Sequence, residues 1–183
     1  MIYKDFQDLK LSALGLGAMR LPVVDGDDAR IDEAAAEKMV DYAIKRGINY
    51  FDTAWGYHSG RSELVMGKLL SRYPRDRFFL ADKFPGYDLS NMGRVEEIFE
   101  EQLKKCRVDH FDFYLFHNVC EMNIDAYLDE RHGIFDYLVR QKEAGRIRHL
   151  GFSAHGSYGV IERFLKAYGD RMEFCQIQLN SLD

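Results

Sequence analysis

Short apolar runs alternate with amphipathic segments along the whole chain. Five of the runs are rich in Phe, Tyr, Leu and Ile, and they predict short buried strands. A sixth run, at residues 13–18, is a weaker candidate because it contains two glycines. The five stronger runs cover residues 49–54, 78–83, 112–117, 148–153 and 174–180.

Between these runs, apolar residues recur at the spacing of one face of an α-helix. In the first such segment, Ala36, Val40 and Ile44 share a face. Asp32 is its candidate N-cap and Gly47 its candidate stop. Further helices are predicted at residues 63–70, with Ser62 as the cap, and at residues 95–106, 133–145 and 160–168.

The repeated order of strand and helix predicts parallel strands joined by crossover helices. Four predicted strand ends are separated by 31, 34 and 36 residues, which corresponds to one strand–helix unit each time. These ends fall at Asp52, Lys83, His117 and Ser153.

Two folds have this alternation, a doubly wound open sheet and a β/α barrel. An open sheet that binds a dinucleotide has a glycine fingerprint after its first strand. Here Gly15 and Gly17 are followed by Arg20 where the third glycine would stand. The sequence therefore favours an α/β fold of the (β/α)8 TIM-barrel type. Residues 1–183 are predicted to form a single barrel domain that is incomplete at its C-terminus, since only six of the eight strands are counted.

Composition and charge narrow the class of protein. The chain has 183 residues, 46% of them hydrophobic and 30% charged, as is typical of a globular domain. A net charge of −5 argues against a nucleic-acid partner, and no apolar run approaches the roughly 20 residues of a membrane span. Three cysteines without metal-ligand or disulfide spacing predict a reduced, cytoplasmic protein with no metal site.

The predicted strand ends carry side chains that are costly to bury alone. Asp52 and Lys83 end neighbouring strands, so an ion pair between them is expected. Tyr57 follows in the loop, where such an ammonium would lower the pKa of its phenol. His117 would hold a substrate oxygen or relay a proton. Each residue alone has an ordinary structural explanation, but their order along the strands favours a general-acid site.

These residues also resemble a known family. The segment FDTAWGYHSGRSE (51–63) resembles the aldo-keto reductase pattern DTAxxYxxGxSE, and LADK, YLFH and GRIRHLGFSAHG follow in the family's order. The resemblance implies reduction of aldehydes or ketones with NADPH, NADH being the alternative cofactor. It assigns proton donation to Tyr57, tuning of that group to Lys83 and Asp52, and orientation of the carbonyl to His117.

The resemblance also predicts cofactor contacts, and residue positions near the strand ends predict substrate contacts. Ser153 and Gln176 match the residues that hold the nicotinamide amide in relatives. The family often has Asn after that serine; here Ala154 occupies the position, and His155 or Asn180 would have to replace the contact. An aromatic substrate wall is predicted from residues near the strand ends, namely Trp55, Phe84 and Tyr87.

Several alternatives remain open. The motifs are also similar to the branch with a ferredoxin-like tail, but this chain has no CxxCxxC run. Six strands would leave two open edges, so self-association is expected if the short form is native. The predicted function is that of a reductase, and the alternative is a cofactor-binding regulatory or inactive fragment of a longer reductase. A Schiff-base enzyme using Lys83 ranks last, because a lysine paired with Asp52 stays protonated.

Overall fold

A computed structural model describes residues 1–179. An N-terminal hairpin, β1 and β2, precedes alternating strands and helices. The strands are β1 Tyr3–Phe6, β2 Leu9–Ser12, β3 Leu16–Gly17, β4 Tyr50–Asp52, β5 Phe79–Phe84, β6 Phe111–Val119, β7 Ile147–Ala154 and β8 Phe174–Ile177. The helices are α1 Glu33–Lys45, α2 Ser62–Leu70, α3 Val95–Cys106, α4 Ile124–Tyr127, α5 Ile134–Glu143 and α6 Tyr158–Tyr168.

The main sheet contains six strands in chain order, β3-β4-β5-β6-β7-β8. The pairs β3–β4, β4–β5, β6–β7 and β7–β8 run parallel, while β1 and β2 form a separate antiparallel pair. An unbroken chain order is what repeated right-handed crossovers of a barrel-type fold produce, whereas a doubly wound sheet reverses its order part-way. The predicted fold class is confirmed.

The predicted strands are present with shifted ends. The weak run at 13–18 contracts to Leu16–Gly17, and the run at 112–117 extends to Val119. Asp32 caps α1 as predicted, since its Oδ1 accepts from the N–H of Ala35 at 3.0 Å. The prediction that Ser62 caps α2 is wrong. The cap position is Arg61, and the Ser62 hydroxyl instead donates to the carbonyl of Ala18.

The described chain divides into two compact units. The first contains Met1–Asp82 and Gln102–Asp109, and the second contains Lys83–Glu101 and residues 110–179. In the first unit α1 contacts α2, and the ring of Phe51 meets that of Phe78 edge-on at 6.3 Å. The buried hydrophobic residues of α1, β4 and α2 are Ala36, Val40, Ala43, Ile44, Phe51, Val65, Met66, Leu69 and Leu70.

The second unit has a largely aromatic interior. β6 is buried over most of its length, and most of its aromatic side chains belong to two clusters of rings. Edge-on contacts at 5 to 6 Å are the preferred geometry for such rings. One cluster contains Phe99, Phe111, Tyr114 and Tyr137, and the other contains Phe116, Tyr127, Phe152, Phe164 and Tyr168.

The three cysteines are free, with Cys106 and Cys120 buried and Cys175 exposed. Within residues 1–179, none of the helices combines the length and the apolar character that a membrane crossing requires. In the same part of the chain, no three His, Cys, Asp or Glu side chains are grouped so as to hold a metal ion.

Candidate active site

Asp52 and Tyr57 lie at the carboxyl end of β4, in the first unit. Asp52 is 8% exposed and pairs in register with Ala81 of β5, whose carbonyl then accepts from the N–H of Thr53 at 3.0 Å. Tyr57 sits in the following turn, where its carbonyl accepts from the N–H groups of Gly60 and Ser62. The partly exposed side chain of Tyr57 therefore projects from a turn whose backbone is held by its own hydrogen bonds.

His58 anchors this turn, a role that could not be predicted from the sequence beyond its position next to Tyr57. Its Nε2 accepts from the N–H of Leu21 at 2.9 Å, so the proton lies on Nδ1, which donates to the carbonyl of Asp28 at 2.9 Å. His58 is 3% exposed and adopts a left-handed φ of 53°. This buried imidazole fixes the loop that presents Tyr57.

A buried polar network lies behind the turn. Gln102 Nε2 donates to Glu63 Oε1 and to Asp82 Oδ1, both at 2.9 Å, so one amide group serves two buried carboxylates. Burial raises the pKa of Glu63, although the bond from Gln102 and the charge of Lys105 act the other way. Lys105 Nζ lies 3.2 Å from Glu63 and 3.6 Å from the ring centre of Trp55. Its ammonium thus covers one face of the predicted substrate-wall tryptophan.

Lys83 and His117 belong to the second unit, on β5 and β6. Lys83 is 2% exposed, which is rare for an ammonium group. Burial first, and then the charges of Lys83 and His155, lower the pKa of His117 from 6.5 to about 3. The imidazole is therefore neutral at physiological pH and acts as a hydrogen-bonding group rather than as a cation. The ring of Tyr87 meets that of His117 edge-on at 5.1 Å.

The backbone around His117 is irregular. The β6–β7 register shifts between Phe116 and Val119, and Asn118 has a left-handed φ of 59°. Side chains satisfy the interrupted ladder here: Ser153 Oγ accepts from the Asn118 N–H at 2.8 Å, and Asn123 Nδ2 donates to the Asn118 carbonyl at 2.8 Å. Bulges of this kind re-aim side chains beside functional sites.

The predicted cofactor residues lie at the end of β7 and on β8. Ser153, which is 5% exposed, stands directly opposite Gln176 in the β7–β8 register. Paired residues of neighbouring parallel strands point to the same face of a sheet, so a hydroxyl and a carboxamide stand side by side. Asn180, the third predicted contact, lies outside the described residues.

The predicted residues are thus distributed over both units. Asp52, Tyr57 and Trp55 are in the first unit. The described candidates in the second unit are Lys83, Phe84, Tyr87, His117, Ser153 and Gln176. Phe84 is fully buried, with its ring 6.4 Å from that of Tyr127, and its observed contacts are those of a core residue. The Asp52–Lys83 ion pair and the aromatic substrate wall stay predictions.

Comparison with known proteins places the chain in a family. The model of the Aldo/keto reductase family matches residues 13–183. This chain belongs to the aldo/keto reductase family. A probable aldo-keto reductase of Glycine max is 31% identical over 155 residues, which are 80% of this chain and 42% of the relative. The L-galactose dehydrogenase of Arabidopsis thaliana is 32% identical over 151 residues, 79% of this chain and 45% of the relative.

A solved structure of the same family resembles this chain. The holo form of an aldo-keto reductase from Bacillus halodurans has a TM-score of 0.76 and 26% identity, over 98% of this chain and 58% of that protein. The chain therefore spans about half the length of the aldo/keto reductases that it matches.

Proposed function

We propose that this chain carries the catalytic residues of an NAD(P)H-dependent reductase that converts aldehydes or ketones to alcohols. One observation supports this most directly: a buried ammonium, Lys83, and a neutral imidazole, His117, lie near the carboxyl ends of two adjacent parallel-sheet strands. In β/α barrels, catalytic residues are found at these strand ends. A neutral imidazole donates a hydrogen bond to a carbonyl without bringing a second positive charge next to Lys83.

The resemblance supplies the roles within this proposal. Tyr57 donates its phenolic proton to the carbonyl oxygen as the alcohol forms, and Lys83 with Asp52 tunes the acidity of that phenol. His117 orients the carbonyl. The turn held by His58 supports the first of these roles, since a proton donor has to keep its position while substrates exchange.

The residues present fit a nicotinamide carboxamide. Such an amide needs both a donor and an acceptor, and the Ser153–Gln176 pair offers both. A serine hydroxyl that accepts from the Asn118 N–H still has its own proton to donate. When bound, the reduced nicotinamide supplies the hydride. NADPH is the proposed cofactor, with NADH as the alternative, and the proposed location is the cytoplasm.

The proposed substrates are small carbonyl compounds with an apolar body. The rings of Tyr87 and His117 are perpendicular to each other at 5.1 Å, so an aromatic side chain lies beside the imidazole that is proposed to orient the carbonyl. Aromatic side chains beside a few polar groups are typical of sites for such molecules.

The test is NADPH oxidation with an aromatic aldehyde, comparing the full chain with Tyr57→Phe. We expect turnover by the native chain and a loss of at least about a hundredfold in the variant, because general acid catalysis typically contributes that much. Tyr158→Phe is the matched control, since Tyr158 is 80% exposed and lies on α6. Equal turnover by native chain and Tyr57→Phe would overturn the proposal.

The alternative is a chain that binds the cofactor without turning it over. NADPH fluorescence distinguishes the two readings: a change on binding together with no aldehyde reduction would favour a regulatory or inactive form. Trapping by borohydride in the presence of a carbonyl compound would instead favour the Schiff-base enzyme.

A further inference from the structure

Tyr127 is a buried tyrosine whose hydroxyl touches the ends of two strands. It is the last residue of α4, and its Oη lies 2.8 Å from the carbonyl oxygen of His117 and 3.3 Å from that of Phe84. A hydroxyl has one proton, so the shorter contact is the principal bond and Phe84 is the weaker partner. Lys83 directly precedes Phe84 on β5. The hydroxyl thus lies between the strand ends of both candidate catalytic residues of the second unit.

The backbone of β6 is irregular where the Tyr127 hydroxyl binds it. Where the register shifts between Phe116 and Val119, the regular strand-to-strand pattern is interrupted at His117 and Asn118. Buried carbonyls need a donor, and the Tyr127 hydroxyl provides one for His117. Burial raises the pKa of Tyr127 far above its usual range, so the hydroxyl keeps its proton.

The ring and hydroxyl of Tyr127 are closely packed on several sides. The ring lies edge-on to Phe116 at 5.4 Å and to Phe84 and Phe164 at 6.4 Å. A Cβ added at Gly86 would lie 2.2 Å from Oη, so the turn after β5 passes against the hydroxyl only because Gly86 lacks a side chain. The next residue, Tyr87, presents its ring to His117.

We propose that the Tyr127 hydroxyl is a positioning group that holds the carboxyl ends of β5 and β6, and with them Lys83, His117 and Tyr87, in their reactive arrangement. This inference rests on the proposed reductase function. Tyr127 acts through the backbone of His117 and does not touch the reacting atoms. Small displacements of catalytic groups lower the reaction rate more than they weaken binding. Removal of the Tyr127 hydroxyl is therefore expected to lower kcat.

The experiment compares Tyr127→Phe with Tyr168→Phe in the full chain. Tyr168→Phe is the matched control, because it removes a hydroxyl from the same cluster of rings. The Tyr168 hydroxyl donates to the backbone carbonyl of Tyr127 at 3.1 Å. For Tyr127→Phe we expect kcat per folded molecule to fall about tenfold or more, with the KM for NADPH unchanged within about twofold. Tyr168→Phe is expected to retain the native kcat.

A second readout does not need turnover. The imidazole ¹⁵N and ¹H resonances of His117 report its orientation directly, and they are expected to shift in Tyr127→Phe but not in Tyr168→Phe. Unchanged His117 resonances overturn the positioning role, whatever happens to kcat. Native kcat in Tyr127→Phe also overturns it. If the native chain reduces no carbonyl compound, the reductase proposal fails, and the resonances alone decide whether Tyr127 positions His117.

Discussion

At the scale of single residues, burial decides what His117 can do. An exposed imidazole is half protonated near its ordinary pKa of 6.5, whereas burial, Lys83 and His155 lower the pKa of His117 to about 3. A group that is neutral throughout the physiological range gives a hydrogen bond whose strength does not vary with pH. The pH dependence of the proposed reaction is therefore expected to come from other groups.

The same shift predicts how stability depends on pH. The folded state disfavours the proton on His117, so this contribution is fully present above the unfolded pKa of 6.5 and decreases as pH falls toward about 3. Between about pH 7 and about pH 5, the loss from this one residue is about 2 kcal/mol. Urea unfolding of the native chain and His117→Gln at both pH values measures it. The native chain is expected to lose more stability than the variant, and parallel losses would contradict the shift.

The catalytic candidates could be predicted from the sequence, but the residues that hold them in position could not. Lys83 and His117 were readable because a charged or polar residue ends a buried apolar run. Tyr127 and Asn123 were not, because each donates to a backbone carbonyl in the irregular part of β6. A bulge depends on how two strands pair, and the pattern of one strand does not contain that information.

At the scale of elements, α2 approaches the end of α3 so closely that one position excludes a side chain. A Cβ at Gly67 would lie 2.2 Å from the carbonyl oxygen of Lys105 and 2.7 Å from backbone atoms of Cys106. Backbone atoms cannot rotate away as a flexible side chain can. Gly67 thus sets the distance between α2 and the segment that carries Lys105 and Cys106.

Two glycine-to-alanine substitutions in helices are therefore expected to have opposite effects on the stability of the chain. Alanine stabilises an exposed helical position by about 1 kcal/mol relative to glycine, and Gly159 in α6 has no atom within 4 Å of its added Cβ. Gly159→Ala should stabilise the chain, whereas Gly67→Ala should destabilise it by about 1–3 kcal/mol through overpacking. Urea denaturation at constant pH compares them. Stabilisation by both substitutions would show that α2 is free to move outward.

Element order was more predictable than element ends. Apolar runs separated by amphipathic segments sufficed for the six strands of the main sheet and for the five longer helices. The β1–β2 hairpin was missed because each strand has only four residues and half of these eight residues are exposed, so the pattern is too short to mark a strand. Ser62 was misassigned because a serine before a helix usually caps it, whereas here its hydroxyl reaches the carbonyl of Ala18, 44 residues away in sequence.

At the scale of the whole molecule, the strand order raises the question of assembly. Among residues 1–179, β3 and β8 are the outer strands of the main sheet. Cys175, Gln176 and Ile177 of β8 are exposed, and Ile177 has 58% of its surface accessible. Outer strands with exposed apolar side chains pair readily with other chains.

Self-association through β8 is therefore expected for the 183-residue chain. A lysine on an outer strand opposes strand pairing, so Ile177→Lys should shift the protein toward monomer. The matched control is Leu89→Lys, because Leu89 is 53% exposed and belongs to the single-turn helix Leu89–Asn91 rather than to a strand. Size-exclusion chromatography with light scattering, over a range of concentrations, gives the mass of each variant. A monomeric native chain at all concentrations, or an oligomer that Ile177→Lys leaves intact, would show that β8 does not mediate association.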